Sequence, residues 1–409
     1  MAVDGLAVVL ALVFAPDPPA SLVPVGPEFQ VNTYTTSAQT QPSVAADANG
    51  NFVVVWHSLH QEGQYSVFAQ RFEASGRPRG SEFRVNTYTT TNQGYARVSS
   101  DAAGNFVVVW NDKRLPDDGA IRGRRFDALG QSAGAEFVVD TLPVDWYFFD
   151  IPQAVAADAG GRFLVTWGRP DAMSLPEMAA RVYDSSGTAQ TAAFPVLPPG
   201  GIQFGAEVAS AGLGTFVIAA VTRHAEYTHV TGGGIFDAFG MPQGNSFSRP
   251  AAMWSVRPSV GAKPDGAFVL VSARSAVSGS VDVLAQRYDP AGSPQGSELQ
   301  VAAVAPPTSD VTVASQPEGE FLVAWDSYPA DGSALAVVAR HYDAAGNATA
   351  AEFLVNSYTT NGQAGPAVAA LGNGHFVVVW RSDQQDGNSY GVFGQRFGPD
   401  VIFAAGFQE

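Results

Sequence analysis

The sequence predicts an all-β fold, a single seven-bladed β-propeller with four antiparallel strands per blade. Three observations predict it: a repeat of about 54 residues recurs along the chain, each copy holds short β-rich runs between turn residues, and one of those runs is apolar on both faces. Copy one reads EFQVNTYTT at 28–36, QPSVAAD at 41–47, NFVVVW at 51–56 and VFAQRFEASG at 67–76. Copies two and seven repeat this closely and copies three to six are worn, with starts near 28, 82, 136, 193, 246, 298 and 352.

The elements follow in order. PSVAAD is assigned to the inner strand a, NFVVVW to b, VFAQRF to c and the following EFxVN to the outer strand d. In NFVVVW, Phe52, Val54 and Trp56 point one way and Val53 and Val55 the other. A strand apolar on both faces needs a sheet packed on each side, which blades stacked around a ring supply. The turns ANGN (48–51) and EASG (73–76) separate the strands, and the long connection NTYTTSAQTQ (32–41) carries the chain from an outer strand to the next inner one. EFQVN at 28–32 precedes any complete blade, while copy seven has no EFxVN after it. Strand 28–32 is therefore expected to complete blade seven and close the ring.

Composition narrows the function. The chain of 409 residues carries a formal net charge of −16 with a pI near 4.7, which repels a polyphosphate partner, so nucleic acid is not expected. It has no cysteine, which excludes disulfides and thiolate metal sites. Residues 5–15, GLAVVLALVFA, followed by PDPPA at 16–20, have the length of a signal-peptide core and are too short to span a bilayer. The expected division is a leader and Pro-rich lead-in at 1–27, the propeller at 28–397 and a tail at 398–409. The expected setting is a bacterial protein, secreted or at the cell surface, monomeric, with no transmembrane segment.

The combination of VNTYTT, a following Gln and Pro-x-Val-Ala, NFVVVW, Gln-Asp-Gly and VFxQRF resembles the repeats of large secreted bacterial proteins, uncharacterised propeller-like proteins of the surface or exterior. The resemblance covers about residues 28–397 and implies a fold and an exported setting, with no reaction. The tail DVIFAAGFQE at 400–409 is similar to the short D-x-I-F-x-x-G-F-E ending of some secreted proteobacterial proteins, with Gln408 intruding before Glu409.

Most recurring residues read as scaffold. Arg71, Arg125, Arg181, Arg287, Arg340 and Arg396 recur on strand c, one per blade at one place, which suits a hydrogen-bond or ion-pair anchor in each blade. Trp56, Trp110, Trp167, Trp325 and Trp380 end strand b and continue its buried alternation. The turns DANGN (47–51) and DAAGN (101–105) offer one carboxylate each, too few for a calcium loop.

Function is expected where copies depart from the pattern, on rim loops. In copy three DTLPVDWYFFD (140–150) replaces NTYTT, and Trp146, Tyr147, Phe148 and Phe149 form a channel cap or a recognition patch for carbohydrate or protein, with Trp254 of copy five adding to it. Copy four loses its Trp and its Arg, with Val221 and Ile235 in their places. Its loop RHAEYTH (223–229) makes His224, Glu226 and His229 candidate metal ligands; no other cofactor is expected. His57 and His60 lie on the corresponding loop of copy one. No nucleophile elbow, Walker loop or dinucleotide fingerprint is present. The sequence thus points to a secreted, non-catalytic binding or surface-interaction propeller using rim loops. The alternatives are a carbohydrate-active enzyme, a glycoside hydrolase or lyase with acid/base residues in the central funnel, and a purely structural repeat protein. Two carboxylates or three arginines converging on the channel would favour the enzyme.

Overall fold

The computed structural model describes residues 21–61, 64–114, 118–142, 153–170, 175–198, 201–224, 229–250, 257–275, 279–304, 310–328 and 330–400. The described strands form seven antiparallel sheets, each a blade. Blade 1 runs from its inner strand Gln39–Ala46 through Phe52–Leu59 and Tyr65–Phe72 to Phe83–Arg84, and blades 2 to 6 repeat that order. The inner strands of blades 2 to 6 are Gln93–Ser100, Ala154–Ala157, Ile202–Ser210, Ser259–Ala262 and Val311–Ser315. Blade 7 comprises Gln363–Gly372, His375–Asp383 and Tyr390–Pro399, with the N-terminal segment on its outer edge.

The core lies between blades. Each of seven buried clusters joins two neighbours, and the set runs unbroken around the ring, including blade 7 against blade 1. This is why strand b is apolar on both faces: Trp56 packs towards blade 7 while Val53 and Val55 pack towards blade 2. Trp56, Trp110, Trp167, Trp325 and Trp380 are all 0% exposed, as the alternation predicts. Below them an aromatic pair stacks across strands b and c, Phe52 on Phe72 at 4.9 Å in blade 1 and Phe163 on Tyr183 at 4.9 Å in blade 3.

The N-terminal segment closes the ring as expected. Phe29–Gln30 pairs with Phe393 and Gly394 of blade 7. Pairing begins earlier than 28, since Leu22–Pro24 also pairs with Phe397–Pro399. The closing strand makes the same bonds as an internal one. Glu28 accepts from the Ser357 N–H at 2.7 Å, as Glu82 accepts from the Thr33 N–H at 2.7 Å. Asn32 Oδ1 accepts from the Val392 N–H at 2.7 Å, as Asn86 accepts from Val67 at 2.7 Å. These bonds explain the Glu and Asn of EFxVN, and the Gln that follows is explained by Asn32 Nδ2 donating to Gln39 Oε1 at 3.2 Å.

Three readings of the repeat need correction. The arginines do not share one place. Arg71, Arg125, Arg287 and Arg396 donate to a carbonyl in the following blade's c–d turn, at Ala128, Ser185, Ala344 and Ala74 respectively, over 2.6–2.8 Å. Arg181 and Arg340 stand one residue earlier relative to the aromatic pair and so face the opposite side of the strand. They donate backward, to Val139 O at 2.7 Å and Val301 O at 2.9 Å. In blade 4 the register places Ala220, not Val221, at the Trp position; Ile235 does replace Arg71. His57 lies within strand b and is buried, so it is not a loop residue.

Candidate functional site

The inner strands line one central cavity of about 240 Å³, to which all seven blades contribute. Near the end carrying the d–a connections, four of these strands shift register between Thr40 and Ser43, Gly94 and Arg97, Phe204 and Glu207, and Ala364 and Ala367. The residue at each shift has a left-handed φ: Gln41, Tyr95, Gly205 and Gly365 lie between 56° and 65°. Such bulges re-aim side chains at a barrel or channel rim.

Pairing with strand b aligns the lining residues. The position of Ser43 is held by Arg97, Ala154, Glu207, Ser259, Thr312 and Ala367 in blades 2 to 7. Two residues earlier, in blades 1, 2, 4, 5, 6 and 7, stand Gln41, Tyr95, Gly205, Arg257, Asp310 and Gly365. The wall is therefore small or uncharged except at Arg97, Glu207, Arg257 and Asp310. Arg257 crosses between blades: its guanidinium pairs with Glu207 at 2.7 Å and donates to Ala206 O at 3.1 Å and Gln153 O at 2.9 Å. Gln153 in turn donates to the Tyr95 carbonyl. Arg97 is half-buried. Burial, then the neighbouring Arg257 charge, hold its pKa down at about 10, while Glu207 and Asp310 act in the opposite direction.

A second pocket of about 160 Å³ lies between blades 1 and 2, lined by His57, Tyr65, Asn92, Tyr95, Asn111 and Lys113 among others. His57 receives the Tyr95 N–H on Nδ1 at 3.3 Å and meets Thr40 Oγ1 with Nε2 at 2.6 Å. Burial lowers its pKa to about 4, with Arg97 and Arg381 adding repulsion, so the imidazole is neutral at pH 7.

The sequence-nominated residues fall elsewhere. Trp146, Tyr147, Phe148, Phe149, Trp254 and Glu226 lie outside the described residues. His229 is buried at the start of strand c of blade 4, opposite Arg223, and meets Phe204 edge-on at 5.5 Å. His224 is exposed and borders an apolar groove of about 680 Å³ between the outer strands of blades 3 and 4. Among the described residues no group of three or more His, Asp or Glu is placed to hold a metal. The channel charges were the missed signal. Aligning the copies on strand a shows Arg97 and Glu207 against Ser and Ala, but only ring closure brings them to one cavity.

No family model matches the chain, and no curated protein matches it either. Among solved structures, a protein of unknown function from Dyadobacter fermentans DSM 18053 aligns over 92% of this chain and 99% of its own, with a TM-score of 0.52 and 10% identity. An α-L-arabinanase from Penicillium chrysogenum, solved with arabinobiose, aligns over 90% of this chain and 98% of its own, with a TM-score of 0.52 and 12% identity. The β-propeller domain of the Trilobed protease from Pyrococcus furiosus aligns over 89% and 94%, with a TM-score of 0.51 and 10% identity. At these identities the likeness is one of fold. Fold and site together define a seven-bladed β-propeller with a charged central channel.

Proposed function

We propose that this protein is a secreted, non-catalytic binding propeller that takes a small polar ligand at the charged end of its central channel. One observation carries the reading: four charged side chains, from blades 2, 4, 5 and 6, line a cavity whose other lining positions are uncharged. Guanidinium and carboxylate groups held side by side in a cleft supply fixed donors and acceptors for hydroxyls and charged groups of a ligand. The pocket around His57 extends that surface in this reading. The test is calorimetric titration of the full chain against a panel of monosaccharides, sugar acids and short oligosaccharides. Binding is expected, and Glu207→Gln should weaken it at least tenfold. A panel without binders, or one whose binders ignore Glu207→Gln, refutes the channel as the site.

A second reading, a glycoside hydrolase or lyase, is favoured by the presence of two carboxylates, Glu207 and Asp310, on the same cavity wall. It predicts release of reducing ends from a polysaccharide panel, abolished separately by Glu207→Gln and Asp310→Asn.

A further inference from the structure

The four channel charges are unequally matched. Arg257 is held by Glu207 and by two backbone carbonyls from blades 3 and 4. Arg97 donates only to the carbonyl of its neighbour Ala96, at 3.1 Å, and no carboxylate among the described residues pairs with it. The Arg257 guanidinium opposes its charge, and the carboxylates that favour it, Glu207 and Asp310, do so without a hydrogen bond to it. Glu207 is already committed to Arg257.

A guanidinium drawn away from bulk water without a partner is costly, because the solvation it loses is not replaced. Its planar fork presents five donors, of which one is used here, and two parallel N–H groups match the two oxygens of a carboxylate. The position is specific to blade 2: its equivalents in blades 1, 3, 5, 6 and 7 are Ser43, Ala154, Ser259, Thr312 and Ala367, so packing of the inner strand does not require an arginine. With a net charge of −16 the molecule as a whole repels anions, so capture of one depends on local donors of this kind.

We infer that Arg97 is the receptor for a carboxylate group on the channel's ligand, and that the ligand is a hydroxylated carboxylate of the sugar-acid class. This rests on the channel-binding reading above. The carboxylate docks on the Arg97 fork from blade 2, while Glu207 of blade 4 and Asp310 of blade 6 accept hydrogen bonds from hydroxyls on the remainder of the molecule.

The test titrates the full chain with galacturonate beside galactose, and with succinate beside succinamide, followed by calorimetry and by the arginine side-chain 15N–H signals. Each carboxylate is expected to bind at least tenfold more tightly than its neutral counterpart and to shift the Arg97 signal. Arg97→Gln should abolish that preference. Arg97→Lys, which keeps the charge and loses the fork, should weaken carboxylate binding at least tenfold. Equal binding of galactose and galacturonate, unaltered by Arg97→Gln, overturns the carboxylate inference and leaves the channel-binding reading standing. Failure of all four probes to bind also overturns the inference, and the channel reading is then judged by the wider panel and Glu207→Gln. Circular dichroism checks that the variants fold; if neither does, the wild-type contrast between galacturonate and galactose still decides the matter.

Discussion

His57 and His341 are buried imidazoles, at 8% and 4% exposure, each with its pKa lowered to about 4 chiefly by burial. In the unfolded chain each titrates near the ordinary value of 6.5, so the unfolded state takes up protons first as the pH falls. Their contribution is therefore fully present above about pH 6.5 and is lost towards pH 4, on the order of 3 kcal/mol for each. Urea unfolding should show a lower midpoint at pH 4.5 than at pH 7, and His57→Gln should flatten part of that slope. A midpoint independent of pH over this range contradicts the assignment. At the same scale, Trp110 is 0% exposed and its indole N–H donates to Gln93 Oε1 at 2.9 Å. Trp110→Ala should cost about 4 kcal/mol, read from the same unfolding experiment.

At the scale of elements, the closing segment makes the bonds of an internal outer strand, and arginine clasps tie neighbouring blades, forward from Arg71, Arg125, Arg287 and Arg396 and backward from Arg181 and Arg340. Phe29 packs on Phe72 at 5.4 Å, and a Cβ on Gly394 would meet its ring at 2.8 Å. Gly394→Leu should therefore displace the closing strand and lower the melting temperature. Removal of residues 1–32 takes away both closing strands together with the Glu28 and Asn32 bonds, and should lower it by roughly 10 °C or more. A melt unaffected by the deletion is incompatible with closure through this segment. Strand identity and closure were legible in the sequence because each blade repeats the same local pattern and the missing EFxVN of copy seven is supplied at 28–32. The arginine positions were not. ARVYD and QRFE align by eye on Arg, yet the strand counts from its aromatic residue, and a one-residue offset moves Arg181 to the opposite face.

For the whole molecule the ring is unevenly tied. Trp packs across the seam with the preceding blade, but blades 4 and 5 carry Ala220 and Ser272 at that position. The forward arginine clasp is missing at both of the same seams, where Val182 and Ile235 replace Arg71. Both flanks of blade 4 thus lose a large buried side chain and a charged hydrogen bond. Local opening follows the least-tied region. In native-state hydrogen exchange, peptides spanning 202–223 and 229–250 should exchange faster than those spanning 39–59 and 363–383. Uniform protection around the ring contradicts this.

By itself, the amino-acid sequence determined the repeat, the strand order, the burial of the tryptophans and the closing segment, because these follow from local alternation, turn chemistry and the count of copies. It also marked blade 4 as irregular. The tertiary structure alone decided which departures meet. Arg97, Glu207, Arg257 and Asp310 are separated by tens of residues and belong to four blades, and no spacing in the chain links them. They share a cavity because ring closure brings every inner strand to one axis, and in blades 2 and 4 a bulge at the head of the inner strand lies beside Arg97 and Glu207.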